Sequence, residues 1–212
     1  EILSRYVGWG GLPQVFEERK EDWGREYAEL KALLTYNEYS TTLASTLNAH
    51  YTAPKIARLM FETLERMGFN RGNILEPSCG IGNFFGVVPE SMRQSKLYGV
   101  ELDGLTGRIA RQLYQNANIT IDGFENTGFP DNFFDVAIGN VPFGQYKVLA
   151  REHRYDRENF NIHDFFFAKS IDKVRPGGII AFITSRWTMD KANPAVRIHM
   201  AQRVALLGAV RL

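Results

Sequence analysis

From Asn73 onward the apolar positions of this chain fall in short runs, separated by turn residues and by stretches with helical spacing. Ile74-Leu75, Leu97 to Val100, Ile119 to Ile121, Phe134 to Ile138 and Ile179 to Thr184 each read as a strand, and Leu206 to Val210 as a sixth. Helices fit between them, over Gly104 to Asn116 and Asp164 to Val174, with another expected directly after the first strand. Strands alternating with helices predict an α/β fold with a mostly parallel sheet covered on both faces. Phe134 to Ile138 is almost wholly apolar, as a doubly buried strand should be.

The first third of the chain follows a helical period instead. Trp23, Tyr27, Leu30 and Leu34 share one face, and a second short helix is predicted from Asn37 to Leu47. A third opens after Thr52, read as its N-cap, with Pro54 in the first turn where a missing N–H is harmless. Ile56, Leu59, Met60, Thr63, Leu64 and Met67 are its expected buried face, and Gly68 closes it. Ahead of these lies the glycine-rich turn Tyr6 to Pro13, read as a linker pinned by Tyr6 and Trp9, with a partner or nucleic-acid contact as the alternative. Two units are expected: residues 1–50, an N-terminal glycine/aromatic segment with a helical extension, and residues 51–212, the α/β domain.

Composition narrows the class. A chain of 212 residues that is 44% hydrophobic and 23% charged suits a soluble globular protein with one domain and a modest extension. A single cysteine, Cys79, excludes an internal disulfide framework and a cysteine-rich zinc site, so no metal is expected. No apolar run is long enough to cross a bilayer and no secretory leader is seen, so a cytoplasmic location and no membrane partner are expected. A net charge of +1 does not itself point to nucleic acid. The chain opens at Glu1 and closes inside an apolar stretch, and is expected to be a fragment of a longer protein.

Two loops carry candidate chemistry. The first is Glu76-Pro77-Ser78-Cys79-Gly80-Ile81-Gly82-Asn83-Phe84, at the carboxyl end of the first strand, where open parallel sheets bind ligands. Gly80 and Gly82 permit a tight turn and close approach of the backbone. The third glycine of a dinucleotide fingerprint is missing, and Glu76 would repel a pyrophosphate. A cationic nucleoside cofactor with an amino group, S-adenosylmethionine, suits that charge. Glu101 ends the second strand about 20 residues later, the place for a carboxylate that accepts ribose hydroxyls. Asp103 competes for the role, although as an N-cap of the next helix it has a simpler one. The second loop, Ile138-Gly139-Asn140-Val141-Pro142-Phe143-Gly144, follows the fourth strand. Asn140 can accept from an amine, Pro142 stiffens the turn and Phe143 offers a flat face for a base drawn out of its stack.

Together these segments resemble the N6-adenine DNA methyltransferases whose cofactor half precedes their target half. Tyr51-Thr52-Ala53-Pro54 is similar to the family's upstream cofactor segment, Leu75 to Phe84 to its glycine loop, and Asn140 to Phe143 to its Asn-Pro-Pro-aromatic target loop. Gly177 to Phe182 resembles its fifth-strand segment, so the likeness runs from about Tyr51 to the end. Tyr6 to Pro13, with this arrangement behind it, is similar to the methylase regions of very large helicase–methylase proteins of conjugative mobile elements. The resemblance implies a Rossmann-like S-adenosylmethionine-dependent fold, interrupted before the family's last strand, which inserts antiparallel between strands five and six. The segment from Leu206 would then be displaced or pair with another chain.

It implies roles as well. Tyr51, Thr52, Glu76, Ser78, Gly80 and Gly82 would line the methionine end, and Asn83, Phe84 and Leu102 would be further cofactor-binding residues. Glu101 would hold the ribose, Phe124 would lie against the cofactor adenine, and Asp122 would bond its amine. Asn140 and the Val141 carbonyl would accept from the target amine, with Pro142 and Phe143 shaping the pocket. Val141 stands where the family usually has proline; the carbonyl is kept and the stiffness lost. The implied partners are double-stranded DNA with base flipping and a helicase region of the same polypeptide.

Other tempting residues have simpler readings. Cys79 is a small loop filler, and Phe165 to Phe167 is core. His163-Asp164 caps a helix, while His50, His153 and His199 are scattered. Lys147, Arg151, Arg154 and Arg157 could meet phosphates but are interrupted by acids, and Arg186-Trp187 could approach the cleft. Two other functions stay open: a scaffold that binds cofactor or DNA with little catalysis, and a methyltransferase acting on RNA guanine or protein glutamine.

Overall fold

The computed structural model describes residues 1–46, 51–152, 154–155 and 160–211. Its centre is a five-stranded sheet, β1 (Asn73–Glu76), β2 (Lys96–Glu101), β3 (Asn118–Ile121), β4 (Phe134–Asn140) and β5 (Val174–Ile183), in the order β3-β2-β1-β4-β5. Every pairing is parallel. The chain winds outward from β1 to β3, then returns to β1's other side with β4. The crevice between β1 and β4 is therefore a switch point, where an open sheet offers a ligand site at its carboxyl edge.

Alternation along the strands builds a core on each face. Ile74, Val136 and Ile138 point to one side and meet Ala57, Phe61 and Leu64 of α3 (Pro54–Arg66). Leu75 and Ala137 point to the other and meet Phe165 and Phe166 of α5 (Ile162–Lys173). Helix α4 (Gly104–Leu113) packs Ala110 with Ile119, Phe85 and Cys79 near the β3 edge.

The N-terminal region contributes α1 (Gly24–Leu33) and α2 (Tyr36–Ser45). A capping box starts α2: the Thr35 side chain accepts from the Glu38 N–H while Glu38 reaches back to the Thr35 N–H. Helix α2 is fastened to the body by Arg108–Glu38 at 2.7 Å and by the Thr42 hydroxyl donating to Asp103 Oδ1 at 2.9 Å.

Several sequence expectations change. The buried stripe of α3 is Ala57, Phe61 and Leu64, while Leu59 and Met67 are about half exposed. The large Phe61 ring turns the stripe toward its own side, and the Thr63 hydroxyl faces outward, donating to the Leu59 carbonyl. The α3 N-cap is Ala53, because Pro54 already occupies the first turn; Thr52 is buried elsewhere. No α-helix follows β1: Gly80 at φ +55° and Gly82 at φ +85° begin a series of tight turns, with one 3-10 turn at Phe85–Val87 before Pro89. Strand β5 starts five residues early, at Val174, with a register break opposite Phe134 and Val136 and Gly177 at φ +76°. Asn161 holds the N-cap position of α5 without a side-chain capping bond, and His163-Asp164 lie buried in the first turn rather than ahead of it. Leu206 to Val210 forms no strand and is largely exposed, held nearby by Arg211–Asp190 at 2.7 Å. Two short helices, α6 (Trp187–Asp190) and α7 (Ala195–Ala201), precede it. The end of the predicted second helix at Leu47, together with His50, His153 and Arg157, lies outside the described residues. No described helix is long and apolar enough to cross a membrane.

Candidate active site

Glu76 closes β1 and is nearly fully buried, 2% exposed. Its Oε2 has no hydrogen-bond partner in the described structure. Burial, with the nearby Glu101 charge, holds its pKa well above the ordinary carboxylate value. The loop behind it folds back onto β2: the Cys79 N–H donates to the Val100 carbonyl at 2.8 Å and the Gly80 N–H to Glu101 Oε2 at 2.9 Å. Cys79 is a buried free thiol facing Gly99, in keeping with a filler role.

Glu101 separates itself from Asp103 clearly. Its second oxygen accepts from the Asp103 N–H at 2.8 Å, and burial raises its pKa to about 7 against those stabilising N–H bonds. Asp103 turns away and caps α4, accepting from the N–H groups of Leu105 and Thr106 and from the Thr106 hydroxyl. Glu101 therefore lines the cleft and Asp103 supports the fold.

The tip of β3 supplies Asp122, Gly123, Phe124 and Glu125. Asp122 Oδ1 accepts from the Gly123 N–H at 2.7 Å and from Asn126 Nδ2 at 2.8 Å. This loop is held from below by Lys169, a fully buried lysine of α5. Its Nζ donates to the carbonyls of Phe124 and Thr127, both at 2.8 Å, and lies 5.1 Å from the Phe124 ring centroid. Desolvation lowers the Lys169 pKa to about 8. Sequence reasoning passed over Lys169, since a lysine in an amphipathic helix normally reads as solvent-facing.

At the tip of β4 the second loop meets the first. A Cβ built on Gly139 would lie 3.3 Å from Glu76 Cγ, so the two strand ends touch. Asn140 and Pro142 line the same cleft as Glu76 and Glu101. Val141 does not: its side chain is buried in the core and its N–H donates to the Ile183 carbonyl at 3.1 Å. Phe143 does not line the cleft either, and the aromatic residues that do on this side are Tyr146 and Phe166.

The cleft has a volume of about 1020 Å³ including its open mouth. Of the residues expected to hold the cofactor, Tyr51, Thr52, Glu76, Ser78, Gly80, Asn83, Phe84, Glu101, Leu102, Asp122 and Phe124 all line it. Gly82 does not; a Cβ there would meet the Tyr114 ring, so this glycine allows α4's last turn to approach the loop. Gly8, Ser45, Thr106, Glu125 and Val148 also line the cleft and were not foreseen. Gly8 had a signal, a glycine-rich turn, but nothing local tied it to a site some 70 residues away.

Other candidates are placed elsewhere. Arg154 is committed to Asp131, with N–O distances of 2.8 and 2.7 Å, and is not free for phosphate. Arg186 stacks over Trp187 at 4.8 Å, and neither lines the cleft. Phe165 and Phe166 are core, while Phe167 packs on Phe182 at 5.2 Å. Asp164 pairs with Lys191, tying α5 to the segment after α6.

The chemistry of the lining is one-sided. Glu76, Glu101, Asp122 and Glu125 face a cleft whose lining contains no lysine, arginine or histidine among the described residues. Such a site repels phosphate and favours a cation. The buried Glu76 oxygen and the Thr52 hydroxyl, neither with a hydrogen-bond partner among the described residues, are acceptors prepared for one. The fold is that of the Rossmann-like S-adenosylmethionine-dependent methyltransferases, and the residues present fit that cofactor.

The chain belongs to the Eco57I restriction-modification methylase family, whose description matches residues 96–207. It is 28% identical over 173 residues to the Defense against restriction protein B of Escherichia phage P1, covering 80% of this chain and 8% of that protein. It is 36% identical over 93 residues to the type II methyltransferase M.CvrRI of Paramecium bursaria Chlorella virus XZ-6E, covering 44% and 24%. The modification methylase CviBIII of Paramecium bursaria Chlorella virus NC1A is 26% identical over 162 residues, covering 70% and 42%. The chain thus spans less than half the length of each of these curated relatives. Among solved structures, a modification subunit of a putative type I restriction enzyme from Vibrio vulnificus YJ016 shares the fold, with a TM-score of 0.54 at 18% identity, covering 82% of this chain and 42% of that one.

Proposed function

We propose that this chain is the catalytic core of a DNA methyltransferase acting on the N6 amine of adenine. The observation that carries the reading is the meeting of Glu76 and Asn140 at one cleft, at the tips of the adjacent strands β1 and β4. When bound, S-adenosylmethionine supplies an electrophilic sulfonium methyl. Glu76 and Thr52 receive the cationic methionine end, Glu101 accepts from the ribose, and Phe124 with Asp122 flanks the adenine. Asn140 accepts a hydrogen bond from the target amine through its side-chain carbonyl, which turns the nitrogen lone pair toward the methyl group. No strong base is required, because the amine can lose its proton after transfer. Pro142 stiffens the loop, and Tyr146 joins or replaces Phe143 as the stacking surface for the extruded base. The proposal includes a longer polypeptide with a helicase region, on the resemblance of Tyr6 to Pro13 and on the length of the phage relative.

A second reading, cofactor binding with weak or no transfer, is favoured by two observations: Phe143 is not among the residues that line the cleft, and valine stands at position 141. The two readings separate in one experiment. The protein is incubated with labelled S-adenosylmethionine and, in separate arms, DNA, RNA or a mixture of proteins; nucleic acids are digested to nucleosides and proteins to peptides for mass spectrometry. N6-methyladenine above a DNA-free control supports the first. Bound cofactor without any methylated nucleoside supports the second, and label in RNA guanine or protein glutamine refutes both. Transfer from these residues alone is expected to be feeble.

A further inference from the structure

The cleft has a wall that comes from the far end of the chain. Gly8 has φ +68° and lines the cleft beside Tyr51 and Ser45. A Cβ built on Gly8 would sit 2.8 Å from Tyr51 Cε2 and 2.9 Å from its hydroxyl oxygen. At the opposite ring edge a Cβ on Gly80 would sit 3.5 Å from Tyr51 Cε1. The Tyr51 ring is thus held between two glycine backbones, one from the N-terminal turn and one from the loop that bonds Glu101.

The turn is fixed by a chain of edge-to-face rings: Tyr6 on Trp9 at 6.5 Å, Trp9 on Phe16 at 5.7 Å and Phe16 on Tyr39 at 5.3 Å. Tyr39 lies in α2, which Thr42 fastens to Asp103, two residues past Glu101. Burial, with the charges of Asp103 and Glu101 close by, pushes the Tyr6 phenol up to about 12. The N-terminal turn therefore sits against the acid end of the cleft and is braced there from two directions.

We propose that Gly8 is a cofactor-site residue, and that the turn Tyr6–Trp9 with Tyr51 forms the wall that encloses the ribose and methionine part of a sulfonium nucleoside. This rests on the cofactor reading above. Glycine is required there twice, for the left-handed backbone and for the space that the Tyr51 ring occupies. The boundary near residue 50 then divides the sequence but not the site.

Gly11 supplies an internal control: it lies in the same turn at φ +83°, with nothing within 4 Å of a built Cβ. Gly8→Ala and Gly11→Ala strain the backbone alike, and only the first intrudes on Tyr51. The binding of S-adenosylhomocysteine to the whole chain is measured by calorimetry for wild type and both variants, with circular dichroism as the check on folding. Gly8→Ala is expected to weaken binding at least tenfold, and Gly11→Ala to stay within twofold of wild type. Equal effects of the two variants would overturn the proposal. Absence of binding by wild type would refute the cofactor reading itself, a different failure. Should Gly8→Ala not fold, hydrogen exchange on wild type decides. Amides of residues 6–9 slow on adding S-adenosylhomocysteine if the wall is part of the site, and unchanged exchange there overturns it.

Discussion

The two halves of the cleft are built differently. The proposed cofactor half, at the tips of β1, β2 and β3, holds two buried carboxylates: Glu101 is locked by the N–H groups of Gly80 and Asp103, and Glu76 keeps one oxygen unpartnered among the described residues. The target half, after the tip of β4, has an exposed loop whose cleft-facing aromatic, Tyr146, is 39% exposed. A site for one invariant small molecule can be finished inside a single domain. A site for a base drawn from a duplex has to stay open, since the rest of the substrate arrives from outside. The difference teaches where binding energy and where chemistry should be lost on substitution.

The largest expected effect is on the target side. Asn140→Ala should lower kcat by about 100- to 1000-fold, the usual cost of deleting one positioned polar group at a reacting centre, with cofactor affinity nearly unchanged. Steady-state kinetics beside calorimetry checks this, and a parallel loss of affinity would merge the two halves. On the cofactor side, Glu76→Gln should cost about 3 kcal/mol of S-adenosylmethionine binding, or roughly 100-fold, by removing a buried charge from its cationic partner. The same variant should raise the melting temperature of the unliganded protein, because the wild-type carboxyl is buried with an oxygen unpartnered. A lower melting temperature would show that Glu76 has a structural partner instead.

Smaller effects sharpen the contrast. Lys169→Met removes the donor to the Phe124 and Thr127 carbonyls and should destabilise the protein by about 2 kcal/mol. It should also weaken S-adenosylhomocysteine about tenfold through the loosened Phe124 loop, while the Km for DNA stays unchanged. Next is pH. Glu101 has a folded pKa of about 7 against an ordinary 4.5. Between those values the folded chain keeps a proton that the unfolded chain has lost, so unliganded stability falls as pH rises through that window. Cofactor binding favours the ionised form, so affinity should climb several-fold from pH 6 to 8, and Glu101→Gln should flatten the profile. The smallest expected effect separates two aromatics: Tyr146→Ala should raise the Km for DNA more than Phe143→Ala, by about 1 kcal/mol, the lower end of a base-stacking contribution.

Much of this was legible before any coordinates. Parallel strands joined by helices follow from the apolar runs, and Glu76, Gly80, Glu101 and Asn140 were readable because a parallel strand delivers the residues at its carboxyl end to one edge. The choice between Glu101 and Asp103 was also open to local reasoning, since a helix start wants a cap and Asp103 stands where it is needed. Errors gathered where local preference met a tertiary demand. Leu206 to Val210 has strand-like residues but no strand beside it, and β-propensity without a partner makes no strand. The helix expected after β1 gave way to turns around Gly82 and Gly86, both close to Tyr114.

The sequence by itself determined the periodicities, the strand-end acids and the glycines beside them, because each depends on neighbours a few residues apart. Only the tertiary structure decided that Tyr146 and not Phe143 lines the cleft, that Lys169 is buried beneath the Phe124 loop, and that Gly8 reaches the Tyr51 ring beside Gly80. Those are contacts between segments distant along the chain. They are set by how helices and loops pack around the sheet, which no local pattern encodes.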